Sequence, residues 1–135
     1  QNMQNLKQGM VSIFIAQAIN FGKLTVKGSL DRFRDQVFID DVVRAFLKAA
    51  TYEDNCLFNV FNICTGKPIK VSQVITEIEK YILIEDIVEE SGTPGDQFGI
   101  IGDPSLSAER LNFIAGVEFQ AGFEEMIDFI RNEKI

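Results

Sequence analysis

The segment "CLFNVFNIC", residues 56–64, is nearly continuous in apolar side chains and of strand length. Such a run suits a strand covered on both faces, as in a parallel sheet with helices above and below it. One strand of this kind cannot form a doubly wound sheet by itself. The chain around it reads either as a small mixed domain or as a piece that completes a sheet whose other strands lie elsewhere.

Around that run the apolar period switches between helical and extended. Val11, Phe14, Ile15 and Ala18 define one face of a helix over 10–20, which Gly22 stops. "KLTVKGS" alternates as a short strand and turns at Gly28 and Ser29. "QVFID" reads as a second strand, with Asp40 or Asp41 capping the helix "DVVRAFLKAAT". Val42, Val43, Phe46, Leu47 and Ala50 form its apolar stripe, which is expected to face a core. Beyond the turn "TGKP", Ser72 caps "QVITEIEKYI", with Val74, Ile75, Ile78 and Ile82 inward, and "DIVEE" is a short strand. In the closing helix "GFEEMIDFIRNEKI", Phe123, Met126, Ile127 and Ile130 share a side. About four short strands alternating with about four helices predict an α/β fold, a small mixed strand–helix domain. At 135 residues the chain is expected to be a single domain over 1–135.

Charge and residue usage narrow the function. The formal net charge of −7 disfavours nucleic acid, which needs a surplus of Lys and Arg on one face, and disfavours an anionic membrane surface equally. With no histidine, neither a Ser-His-Asp triad nor a His-containing zinc site can be built within the chain. Cys56 and Cys64, on a straight strand, would stand roughly 26 Å apart, beyond disulfide reach, and read as buried free thiols in a reducing compartment. The longest apolar stretch, "MVSIFIAQAINF", is too short to span a bilayer. A cytoplasmic protein is expected. The chain opens "QNMQN", without an initiator methionine at position 1, as a piece of a longer protein would.

The fifteen residues "SGTPGDQFGIIGDPS" hold four glycines and two prolines and read as a long ordered loop, the kind of segment that carries function. They do not make a dinucleotide fingerprint. A G-x-x-G-x-x-G spacing needs glycine where Phe98 stands, and the segment runs into "DPS" instead of a long helix. Neither Tyr52 nor Tyr81 has a lysine four residues on.

The remaining signal is "GSLDRFRDQVFIDD", where Arg32 and Arg34 precede an apolar strand that ends on Asp40 and Asp41. Arg34 leads straight into the strand, near a sheet end where α/β proteins bind ligands, and its planar fork matches phosphate oxygens. On residue physics alone, a salt bridge from Arg34 to Asp31, Asp35 or Asp40 explains it better.

In order, "LTVKGSLDRFRDQVFIDDVVRAFLKA", "FNICTGKP" and "TPGDQFGIIGDPS", followed by a closing helix, resemble the C-terminal part of extended short-chain dehydrogenase/reductase enzymes, the NAD-dependent nucleotide-sugar epimerases and dehydratases such as UDP-glucose 4-epimerase. The family's Arg-Asp pair and terminal Asp-Asp are matched by Arg34, Asp35, Asp40 and Asp41. Its Asn-x-Gly-Thr-Gly turn is matched by Asn62, Thr65 and Gly66, with Cys64 in place of a glycine. Its Pro-Gly-Asp loop is matched by Pro94, Gly95 and Asp96. The resemblance covers nearly the whole chain.

The resemblance implies the substrate-binding portion of an extended Rossmann-type fold. Arg34 would hold the diphosphate of a sugar nucleotide, with Thr25, Val26 and Lys27 along its base and ribose. Residues near 9–12 would approach the base, and Asp96 would lie near the ribose or a neighbouring backbone. Thr93 stands where the family often has a second phosphate-binding arginine, a charge that Lys27 could replace. The family's NAD-binding glycine loop and Tyr-x-x-x-Lys are not encoded here, so NAD and the N-terminal dinucleotide-binding domain of the same polypeptide are implied partners. In the intact enzyme NAD would take a hydride from the sugar and return it to the other face, whereas this chain alone is expected to be inactive. Dehydratase, stand-alone sugar-nucleotide module and non-binding interaction domain are the alternatives. Apolar faces left bare would drive self-association.

Overall fold

The computed structural model describes residues 9–53, 58–92 and 94–132. Its contacts divide the chain into two compact units, one of residues 1–33 and 69–99, the other of residues 34–68 and 100–135.

In the first unit, helix α1 (Met10–Phe21) buries Phe14, Ile15 and Ala18 and is closed by Gly22, as its periodicity predicts. Strand β1 (Lys23–Lys27) turns Leu24 and Val26 into the core. Helix α3 (Val71–Glu79) buries Val71, Val74, Ile75 and Ile78, while Ile82 beyond its end is half-buried. Its cap is Lys70, not Ser72: the Lys70 N–H donates to Gln73 Oε1 at 2.8 Å. Ser72 instead lies one residue inside the helix. Strand β4 (Asp86–Glu90) runs parallel to β1 in the register Lys23↔Asp86 through Lys27↔Glu90. All of β4 is exposed, and Asp86, Glu89 and Glu90 give it the charge that discourages further pairing.

The second unit departs further from the sequence pattern. Strand β2 (Phe33–Asp35) comes three residues before the strand expected at "QVFID", and α2 (Ile39–Ala50) already begins at Ile39. Within this unit, the Asp35 N–H donates to the Ile100 carbonyl at 3.1 Å, so backbone pairing and not apolar alternation locates the strand. The helix N-cap is Phe38; Asp40 and Asp41 lie in the first turn, where a negative charge still favours the helix. Strand β3 (Pro68–Lys70) is a three-residue segment.

The apolar stripe of α2 faces outward. Val43 is 50%, Phe46 70% and Leu47 67% exposed, whereas the buried line is Asp41 and Ala45. The cause is polar. Asp41, 1% exposed, accepts the Gly116 and Val117 N–H groups at 2.9 Å each and pairs with Arg44, so the helix is rotated to satisfy a carboxylate.

Residues 58–64 are not a strand. Phe61 and Ile63 pack with Tyr52 and Ala115 on a core of Ala45, Leu111 and Phe113. Phe58 and Val60 on the alternate positions are exposed, so this stretch is covered on one face and not on both. Cys64 is a buried free thiol, and Cys56 lies outside the described residues. A fifth helix, α4 (Ser105–Leu111), was not expected; Asp103 opens it by accepting the Ser105 N–H at 2.9 Å and its hydroxyl at 2.6 Å. Helix α5 (Phe119–Asn132) buries Phe123, Ile127 and Ile130, as its pattern predicts. Among the described residues no helix is long and apolar enough to cross a membrane.

Candidate functional site

Of the residues singled out in the sequence, Thr25, Val26 and Lys27 form the C-terminal half of β1 in the first unit. Val26 points into the core. Thr25 is half-buried, and its N–H donates to Gln17 Oε1 at 3.0 Å, tying the strand to α1. Lys27 is exposed, opposite Glu90. Asp96 lies beyond the turn at residues 94 and 95. Thr93 and most of residues 9–12 fall differently: Thr93 lies outside the described residues, and residues 10–12 open α1.

The structure brings Lys27 and Asp96 together through Arg32, which the sequence marks beside Arg34 without giving it a role. Arg32 donates from Nη1 to the Lys27 carbonyl at 2.6 Å and pairs through Nη2 with Asp96. A faint signal exists in the sequence. Gly28 and Ser29 turn the chain, and an arginine four residues after Gly28 can swing back over the strand end.

Arg34 lies in the second unit, at the centre of β2 and half-buried. Of the carboxylates offered as its partners, Asp31 also pairs with Lys70 at 2.9 Å, and Asp35 also accepts several donors. Asp35 Oδ1 accepts the Thr65 N–H at 2.8 Å and its hydroxyl at 2.6 Å. Oδ2 accepts the Gly66 and Gly102 N–H groups at 2.9 and 3.2 Å. Burial alone would raise its pKa, but the bonds from Thr65, Gly66 and Gly102 outweigh it and hold the carboxyl below the ordinary aspartate value. The Asn62 amide adds a bond to the Asp103 carbonyl at 3.4 Å. Three of the resembling segments thus meet on one aspartate.

Beside it, burial and then the charge of Asp35 push the Cys64 thiol up, with Asp103 adding to the effect, which makes it a poor nucleophile. The glycine-rich loop does not fit a dinucleotide. A side chain at Gly99 would meet the Phe33 ring at 2.1 Å, and one at Gly102 would meet Cys64 Sγ at 2.5 Å. These glycines serve close packing within their own units, and the helix that follows has only seven residues.

With this geometry in view, the comparisons with known proteins fall into place. The family model described as NAD dependent epimerase/dehydratase family matches residues 1–64. The chain is 28% identical over 126 residues to the dTDP-4-dehydro-6-deoxyglucose reductase of Escherichia coli, covering 93% of this chain and 39% of that protein. The crystal structure of the Thermotoga maritima UDP-glucose 4-epimerase with UDP-glucose superposes with a TM-score of 0.84 at 29% identity, over 94% of this chain and 40% of that one. MoeE5, solved with UDP-glucuronic acid and NAD, shares the fold with a TM-score of 0.85 at 23% identity, over 93% and 42% of the respective chains.

The class is therefore a mixed α/β portion of a Rossmann-type short-chain dehydrogenase fold. More particularly, residues 1–64 resemble the NAD dependent epimerase/dehydratase family, as the motifs indicated, and the structural neighbours include a UDP-glucose 4-epimerase. It spans about 40% of the length of the relatives it matches.

Proposed function

We propose that this chain is the substrate-binding portion of an NAD-dependent nucleotide-sugar epimerase. Arg34 makes charge-assisted hydrogen bonds to the diphosphate, while Thr25, Val26, Lys27 and Asp96 serve the nucleoside, with Thr93 next to them in sequence. The observation that carries this reading is the match to an epimerase solved with UDP-glucose, at 29% identity over 94% of the chain. The residues present bind and orient; hydride chemistry belongs to a dinucleotide-binding domain that holds NAD, and without it the chain turns nothing over. A nucleotide-sugar dehydratase portion is the runner-up within the same class.

The exposed stripe of Ile39, Val43, Phe46 and Leu47, with Phe58 and Val60, supports a second component of the proposal. This surface receives the dinucleotide-binding domain, and in its absence self-association covers it. A buried free thiol at Cys64 is in keeping with a cytoplasmic setting.

Calorimetry tests the site. UDP and dTDP are titrated into the chain and into Arg34→Ala; the reading expects binding of at least one nucleotide and roughly tenfold or greater weakening in the variant, the scale of a lost charge-assisted contact. Equal affinity in both proteins refutes the role of Arg34, and turnover of UDP-glucose by the isolated chain with NAD refutes the division of labour.

A further inference from the structure

We propose that Arg32 is a positioning residue: its guanidinium straps the loop at residues 94–98 to the end of β1 and so sets how tightly a nucleotide is held. This rests on the nucleotide-binding reading above and assigns a control element to that site. The turn at residues 28–31 is built to return the side chain. The Asp31 N–H donates to Ser29 Oγ at 3.1 Å and the Arg32 N–H to the Ser29 carbonyl at 3.2 Å. Gly28, at φ +87°, leaves room for the guanidinium, since a Cβ there would lie 2.9 Å from Nη1.

The side chain is 16% exposed, well below the usual surface arginine, and its two terminal nitrogens are spent on different segments. Nη1 holds the β1 carbonyl of Lys27; Nη2 holds Asp96, 64 residues further along. Nε is buried without a hydrogen-bond partner. An orphaned donor on a charged group is unfavourable, so the position is explained by what the terminal nitrogens connect and not by its own solvation. A planar fork can hold both acceptors at fixed spacing; lysine, with one nitrogen, cannot reproduce it.

The loop is also anchored at its two feet. The Gly28 N–H donates to the Glu90 carbonyl at 2.9 Å and the Phe33 N–H to the Phe98 carbonyl at 3.2 Å, with the Phe33 and Phe98 rings edge to face at 6.2 Å. Arg32 lies between these anchors and acts on the middle of the span. It holds the strand assigned to the nucleoside and the loop carrying Asp96 in one arrangement, without being a ligand contact itself.

The test uses the 135-residue chain and two variants that keep side-chain bulk, Arg32→Lys and Asp96→Asn. Backbone 15N order parameters at Gly95 and Gln97 are expected to fall from about 0.85 toward about 0.6 or less in both variants. In Arg32→Lys, which removes no proposed ligand contact, UDP dissociation should accelerate about tenfold with little change in association rate. The melting temperature should stay within about 2 °C of the parent, which separates positioning from general destabilisation. Order parameters unchanged in both variants overturn the strap. A looser loop with unchanged UDP dissociation overturns its role in nucleotide retention. If the parent protein binds no UDP or dTDP, the nucleotide reading fails, while the order parameters still decide whether the strap exists.

Discussion

Asp35→Asn is the substitution whose consequence the structure specifies most fully. The carboxylate takes two donors on each oxygen: the Thr65 N–H and hydroxyl on Oδ1, the Gly66 and Gly102 N–H groups on Oδ2. An asparagine of the same shape keeps one accepting oxygen. Its amide nitrogen must then face either the Gly66 and Gly102 N–H groups or the Thr65 N–H, where the Thr65 hydroxyl can turn to accept from it. Two charge-assisted bonds are lost and a donor–donor contact replaces them. Because Asp35 is only half-buried, water offsets part of the loss, and the net destabilisation comes to about 2 kcal/mol. For a chain of this size that corresponds to a melting point lowered by about 8 °C, readable by far-UV circular dichroism at neutral pH.

The same reasoning fixes the pH dependence of the difference. The folded pKa of Asp35 lies below its unfolded value, near 3.9, so the ionised form is the one the native state favours. Its contribution is fully present above about pH 4 and is lost as pH falls through the lowered folded pKa. The gap between parent and Asp35→Asn should therefore be widest at neutral pH and shrink in acid. A melting point that does not move, or a gap that widens below pH 4, would show that the aspartate is not the junction of these segments.

Asp41→Ala strips two backbone N–H groups, of Gly116 and Val117, of their acceptor and leaves Arg44 without its carboxylate. It should cost about 3 kcal/mol in a urea titration, and a loss below about 1 kcal/mol would mean that Asp41 does not set the rotation of α2. Phe46→Asp with Leu47→Asp changes only exposed positions, so stability should move by less than about 1 kcal/mol while concentration-dependent association in sedimentation velocity disappears. Identical sedimentation of parent and double variant would refute the docking surface. The Arg34→Ala and Arg32→Lys measurements complete the set and separate the proposed phosphate contact from the proposed strap.

What could be read from the sequence, and what could not, follows from the range of the forces involved. Helices α1, α3 and α5 and the strands β1 and β4 were legible because each satisfies its backbone locally or with one partner, and in all but the fully exposed β4 the apolar period reports the buried side directly. Helix α2 was legible as a helix but not in its orientation: a hydropathy pattern cannot know that Asp41 will meet two N–H groups some 75 residues away. Helix α4 was missed because seven residues hold barely two turns of period, although Asp103 ahead of Ser105 is a usable start signal. The candidate site divides in the same way. Arg34 stood out by its place before an apolar strand, but its diphosphate role and the choice of Thr25, Val26, Lys27, Thr93 and Asp96 came from a family resemblance, since isolated polar residues carry no address. Arg32 escaped because its meaning depends on Asp96. Where pattern and structure disagree over apolar residues, the disagreement is one-sided: Val43, Phe46, Leu47, Phe58 and Val60 read as core and stand in solvent. Side chains patterned for burial and left bare on one helix face and one extended segment are what a surface awaiting a packed partner looks like. That pattern is what supports the proposal that a dinucleotide-binding domain docks on this face.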